Sequence, residues 1–444
     1  MNTSALGRIA LATGITVLSA GLLPATAHAD DAVVERRTLP VLVEFADSSF
    51  QDAAAVKAST PDTYFGAKKD SLASFFSELS RGKYRVVPAV DEQYVGPVKL
   101  SMAAACDYGE INTQTQKALA ERGLVRGEDY DSLSMVFPAQ KTGCDWAGLG
   151  SVPGPYTWIN LYGTAGGLGV VGHEFGHNLG LGHQMRFMCT DGDLVDCKEN
   201  GTSAKSMMGG GGTAAGISAP EMIRADWLAD SEKVTVAKSG TYTLRSLHGD
   251  GDGIRALDIP MGEDRLVVEY RHAAGSFDQD IEGVHAYRVP KGNYGSSTLI
   301  DMTEVNKTAG NEAPADADAI TSVTDRASKV SVAVVASGGG RAEVKVSLEG
   351  ADLSADVDTP ATAAAPAAEH TATDTDAGDG LPNETEAQGN AEETAAATAD
   401  SADLAATGGD SNTVPIAAGG AVLLLVGARA RTDAPPRARL TVPT

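Results

Sequence analysis

Residues 173–183 read HEFGHNLGLGH and place three of the chain's eight histidines in one short stretch. On a helix His173 and His177 lie four residues apart, so they project from one face, one a turn above the other. Glu174 follows His173 directly, and its carboxylate lies beside that pair without taking either position. Gly180 lets the backbone leave the helix in a left-handed conformation, and the sharp turn brings His183 round to the same point. Few residue sets constrain a fold this tightly, because a helix, its end and the following loop must all converge on one site.

The chemistry follows from the donor types. Three neutral imidazoles leave the fourth position of a tetrahedral Zn²⁺ to water, the layout of a catalytic site and not of a closed structural one. Zn²⁺ lowers the pKa of such a water to about 7, and a neighbouring carboxylate takes the proton as the hydroxide attacks a polarised carbonyl. Zn²⁺ on His173, His177 and His183, with Glu174 as general base, is therefore expected to hydrolyse a peptide bond without a covalent intermediate.

The spacing H-E-x-x-H-x-x-G-x-x-H resembles the long zinc motif of the metzincin metallopeptidases, which is followed downstream by a methionine turn. Lys205-Ser206-Met207-Met208-Gly209 stands where that turn is expected; Met208 fits it best and Met207 is the alternative. The resemblance implies that the turn methionine forms a hydrophobic floor beneath the histidines. Within this group the chain is most similar to gametolysin-type peptidases, which share features with immune-inhibitor-A-like secreted enzymes. The likeness rests on FFSELSRGKYRV, HEFGHNLGLGH, SMMG and ISAPEMIRADWL, and more weakly on GTYTLRSL, LVVEYR, GVHAYRV and LIDM. Gly210 follows Met208-Gly209, so the extra tyrosine ligand of some relatives is absent and the resemblance implies three histidines and water.

Around the motif the chain divides by composition. Residues 1–29 carry Arg8, an apolar run from Ile9 to Leu23 and the small-x-small pattern Ala27-His28-Ala29, and read as a secretory signal peptide. Residues 30–230 read as the zinc peptidase domain. The run Thr38–Asp47 is β-rich, Leu72, Phe75, Phe76 and Leu79 have helical spacing up to a stop near Gly82, and YRVVP then reads as a strand. A second helix over 112–124 and a strand over 132–139 follow, with an edge strand around Tyr156 to Asn160. Residues 231–350 hold short alternating runs separated by turn signals, the pattern of a β-sandwich. The fold class expected is α+β: a metzincin-like catalytic domain with helices packed on a mixed sheet, then a β-sandwich-like domain.

Residues 351–403 are rich in Ala, Thr, Pro, Asp and Glu and poor in large apolar residues, so they read as an acidic solvated stalk. The segment carries much of the formal net charge of -24, and no basic patch stands out elsewhere, which argues against nucleic acid as a partner. Residues 404–444 contain LAATG, an apolar run from Val414 to Ala428, then Arg429 and Arg431. This order resembles a sortase sorting signal of the LAxTG kind, which implies cutting between Thr407 and Gly408, linkage of Thr407 to a Gram-positive cell wall, and only transient membrane contact. The expected location is thus outside the cell, attached to the wall, with sortase and a protein or peptide substrate as partners.

Four cysteines in an exported chain suggest disulfides; four allow three pairings, and proximity favours Cys189 with Cys197, leaving Cys106 with Cys144. Asp191, Asp193 and Asp196, and Asp250 with Asp252, are candidate Ca²⁺ ligands, but their spacings do not make an EF-hand loop and they read better as solvated loop acids. His248, His272 and His285 stand singly and read as structural or exposed. The competing reading of the whole is a surface adhesin whose β-domain binds a partner and whose metal site is structural or silent. Oligomeric state and substrate sequence are not legible.

Overall fold

The computed structural model describes residues 33–161, 167–189, 192–302, 319–351, Leu353 and, for the backbone alone, 403–407. The expected signal peptide, Asp191, nearly all of the expected stalk, and Gly408 with the rest of the expected sorting signal lie outside the described residues. The described residues group as one unit by their internal contacts.

Eleven residues, Val34–Glu44, form β1, the spine of the first sheet. After it come β2 (Tyr84–Pro88), β3 (Val95–Lys99), β4 (Ser132–Pro138), β5 (Gly148–Val152) and β6 (Tyr156–Leu161). Helices α1 (Ala53–Phe65), α2 (Leu72–Leu79), α3 (Tyr108–Ala120) and α4 (Leu168–Asn178) are interspersed. Pairing is parallel from β2 through β1 and β4 to β6, and β3 also adds parallel to β1. The last strand turns back, so β5 pairs antiparallel with β6.

Side chains alternate across this sheet as a pleated strand requires. Leu39, Val41 and Val43 of β1, with Leu133, Met135 and Phe137 of β4, face a core that α3 closes with Ile111 and Leu119. Leu42 and Val136 face the opposite core, which α2 and α4 close with Phe75, Phe76, Val171 and Phe175. All seven residues of β4 are buried, as expected for a strand with both faces covered. Helix α2 starts where the Ser71 hydroxyl accepts from the Ser74 amide and is followed by Gly82 at φ +81°, close to where the periodicity ended it.

The remaining elements are β7 (Met185–Met188), β8 (Lys198–Thr202), α5 (Ala219–Arg224), β9 (Lys233–Thr235), β10 (Gly240–Arg245), β11 (Ala256–Met261), β12 (Asp264–Arg271), β13 (Gly283–Val289), β14 (Thr298–Asp301), β15 (Ser322–Asp325), β16 (Val330–Gly338), β17 (Arg341–Ser347) and β18 (Asp403–Thr407). They make a seven-stranded sheet ordered β8-β7-β14-β13-β12-β11-β9 and a four-stranded sheet ordered β10-β17-β16-β15. One buried core joins them: Leu257, Val268, Val284 and Ile300 from the larger sheet meet Leu244, Val323, Val332 and Val344 from the smaller. The larger sheet takes β7 and β8 from the chain before residue 230, because β7 pairs parallel with β14, so a boundary near 230 does not separate the sheets. The fold is mixed α/β with several sheets and few helices. Among the described residues no helix is long and apolar enough to cross a membrane.

β18 falls on the LAATG motif, where the sequence suggested a sorting signal and not a strand. It adds antiparallel to the free side of β5, with Thr407 opposite Gly148, Ala405 opposite Gly150 and Asp403 opposite Val152.

Candidate metal centre

Helix α4 carries His173, Glu174 and His177, and residues Val171 to Asn178 are all buried. The helix sits this deep because Phe175, on the side away from the histidines, enters an aromatic cluster with Phe76 at 5.3 Å and Tyr84 at 6.4 Å between ring centroids. On the sheet side two glycines of β5 make room. A β-carbon on Gly148 would run into the Glu174 carboxylate, and one on Gly150 would meet the Glu174 carbonyl oxygen and the His177 Cβ.

Gly180, at φ +83°, ends the helix in a left-handed residue. Its amide donates to the His177 carbonyl at 2.8 Å and the Leu181 amide to that of Gly176 at 3.4 Å, the paired bonds of a Schellman turn. The Gly182 amide then donates to Gly295 O at 2.7 Å and the Gln184 amide to Met208 O at 2.9 Å, so both neighbours of His183 are pinned. His183 is thereby brought to α4, with ring centroids 5.2 Å from His173 and 5.0 Å from His177. One ligand-type atom from each of the three rings lies within 4.8 Å of the others, and this is the one such grouping among the described residues.

The rings are oriented from behind. His173 Nδ1 lies 2.7 Å from Met207 O and His177 Nδ1 lies 2.6 Å from Leu181 O. A carbonyl only accepts, so both Nδ1 atoms carry the proton and both Nε2 atoms present lone pairs. Those two Nε2 atoms are buried and have no hydrogen-bond partner. Burial, reinforced by the adjoining imidazoles, holds His173 down to about 4 and His177 to about 2, so both are neutral at ordinary pH. Neutral, inward-facing imidazoles with unsatisfied Nε2 atoms are the donor set a Zn²⁺-type ion requires.

The loop 203–217 forms the other wall. Met207 and Met208 are both buried, and a β-carbon on Gly176 would collide with Met208 Sδ, so this sulfur lies directly against α4 at Gly176. The Ser206 hydroxyl donates to Glu221 at 2.7 Å and accepts from the Met208 amide at 3.0 Å. Glu221 also accepts from the Ser218 amide at 2.6 Å, closing the capping box of α5. Burial raises the Glu221 carboxyl to about 7. From the larger sheet, Arg271 donates to Lys205 O at 3.0 Å and to Ala215 O, gripping this loop on both sides of the methionines. Arg271 is fully buried between Glu269 and Asp278; Arg271 and His248 hold Asp278 well below the usual carboxylate range, despite its burial.

The other sequence candidates fall elsewhere. Cys106 is bonded to Cys144 and Cys189 to Cys197. Asp193 is buried against Arg326 at 2.8 Å, whereas Asp196, Asp250 and Asp252 are exposed. His248 is bonded to Asp278 and His272 to Glu282, while His285 is fully buried. Sequence reasoning did not single out Gly148, Gly150, Ser206, Glu221 or Arg271. A GLG strand beside a zinc motif and the S-x-x-E spacing of Ser218 and Glu221 were the available signals.

Fold and site together define a protein whose three-histidine centre can hold a metal ion, on a mixed sheet covered by helices. Residues 37–259, half of the chain, match the family described as Gametolysin peptidase M11, and the chain belongs to that metallopeptidase family. No curated protein sequence matches it. Among solved structures, wild-type OgpA from Akkermansia muciniphila is 13% identical, with a TM-score of 0.28, over 59% of this chain and 87% of that one. The catalytically inactive OgpA bound to an O-glycopeptide substrate is 13% identical, with a TM-score of 0.26, over 54% of this chain and 72% of that one. A chaperone-substrate complex is 16% identical, with a TM-score of 0.23, over 34% of this chain and only 24% of that one. These scores do not establish a shared fold.

Proposed function

We propose that this chain is a secreted zinc endopeptidase of the metzincin type. The observation that carries the reading is the convergence of His173, His177 and His183, two of them with buried, unsatisfied Nε2 atoms, beside the fully buried Glu174. The three imidazoles would hold the ion, and Met207 O and Leu181 O fix the tautomer and aim of two of them. Zn²⁺ in such a set acts as a Lewis acid that polarises a carbonyl and acidifies a water. Glu174 removes the proton from the attacking water and delivers it to the leaving amine, so the carboxylate must be charged at the start of each turnover. Its burial against Gly148 and Gly150 keeps it in one position and excludes competing solvent. The buried methionines support the ligands from below.

Residues 1–29, the two disulfides and the LAATG motif support export and attachment to a cell wall through Thr407. The peptidase reading is tested by metal analysis and casein cleavage of the full chain beside Glu174→Gln. About one zinc per chain in both, with cleavage falling about 10²–10⁴-fold in the variant, is expected. A fully active Glu174→Gln chain overturns the mechanism.

A further inference from the structure

The face of β5 turned away from β6 is occupied by the chain itself. Along β5 the hydrogen-bonding groups alternate sides, and the bond from Asn160 N to Ala147 O, at 2.9 Å, sets which residues face β6. By that alternation Gly148, Gly150 and Val152 direct their amides and carbonyls outward, where Thr407, Ala405 and Asp403 stand opposite them. These glycines are the residues that abut Glu174 and His177. An extended segment from the far end of the sequence therefore passes along the strand nearest the proposed catalytic carboxylate, in register with it.

Strand addition to an exposed sheet edge is a general means of holding a peptide, since main-chain bonds supply affinity for any extended sequence. We infer that Asp403–Thr407 occupies the outer edge of β5 as a tethered competitor of an extended peptide substrate. The inference rests on the peptidase reading for its functional consequence, but the occupancy itself does not require turnover.

The test uses the full chain carrying Glu174→Gln, so that occupancy is read whether or not a bound strand is cut. Two partners are compared with it: one in which residues 403–407 are replaced by Gly and Ser at constant length, and one carrying Ala405→Pro, which removes an amide that faces Gly150. The probe is a fluorescein-labelled Asp-Leu-Ala-Ala-Thr-Gly peptide followed by anisotropy, with hydrogen exchange of the 148–152 amides as the second readout. At least tenfold tighter peptide binding in both partners than in the parent, together with faster exchange at Gly148 and Gly150 when no peptide is added, is expected. Equal affinity in all three, or unchanged exchange, overturns the inference. In the catalytically intact background the same replacements should lower KM for a casein-derived peptide about tenfold with kcat little changed. A chain that cuts casein equally with and without the native strand keeps the peptidase reading and loses this one. Strand-dependent peptide binding without any hydrolysis does the reverse.

Discussion

Met208 Sδ occupies the space that a β-carbon on Gly176 would need, so the helix of the histidine motif and the methionine loop are in contact at a position where an added methyl group must displace a buried methionine. Gly176→Ala sets two known effects against each other. Helix propensity alone makes the substitution stabilising by about 1 kcal/mol, whereas forcing a methyl group into a packed core costs about 1–3 kcal/mol. With sulfur on one side and the helix backbone on the other, the second effect wins. Thermal unfolding should occur at a lower temperature, and competition with a chelating dye should show zinc held at least tenfold more weakly. A raised Tm with unchanged zinc affinity would show that the loop yields freely.

In the metal-free protein the histidines make stability depend on acid. His173, at about 4, and His177, at about 2, lie below the roughly 6.5 of an unfolded imidazole. Depressed values mean that the unfolded chain takes up the protons, so stability is fully present above about pH 6.5 and is lost as pH falls through it, by up to about 2.7 kcal/mol per pH unit. Glu221 acts with the opposite sign. Raised to about 7, it contributes stability below about pH 4.5 that is lost as pH rises through 7. Urea unfolding at about pH 5, 6 and 7.5 separates them: His173→Ala with His177→Ala should flatten the acid loss, and Glu221→Gln should steepen it.

Arg271→Ala strands Asp278 and Glu269 in the interior and removes the donors that hold Lys205 O and Ala215 O. Loss of one partner from a buried ionic network costs about 3–5 kcal/mol. The loop bearing Met207 and Met208 should loosen as well, so zinc affinity should fall although no ligand has been touched. Denaturant unfolding and a zinc competition titration measure the two effects. Intact zinc affinity in a destabilised variant would confine Arg271 to folding.

The two disulfides close loops of different length, with sequence separations of 38 for Cys106–Cys144 and 8 for Cys189–Cys197. On loop entropy alone, replacing the first pair by alanine should cost about 4 kcal/mol and the second about 2.5 kcal/mol. Chemical denaturation of the two double variants gives the order directly; the reverse order would mean that packing around Cys189, not chain entropy, dominates.

What the sequence disclosed follows the range of the interactions involved. His173, His177 and His183 were legible because a four-residue helical spacing and one glycine fix their convergence within eleven residues. The helix at Leu72–Leu79 and the strands Tyr84–Pro88 and Ser132–Pro138 were legible because each buries a periodic apolar set. Helix α1 was not, since only Thr60 and Tyr64 are buried along it and Pro61 interrupts the pattern. Glu221 was not singled out in the sequence, and only the fold shows that Ser206 and Ser218 enclose it. β7 and β18 escaped because a four- or five-residue strand is defined by a partner far away in sequence, β14 and β5 respectively.

The register of β18 on β5 also fixes how the site can respond to its surroundings. Occupant and site belong to one molecule, so their encounter is unimolecular, and the occupied fraction is the same in dilute as in concentrated solution. Dilution cannot open such a site. Only an excess of rival peptide, a pull on the chain end, or a break between Leu353 and Asp403 that lets the strand diffuse away can do so, and the last of these is irreversible.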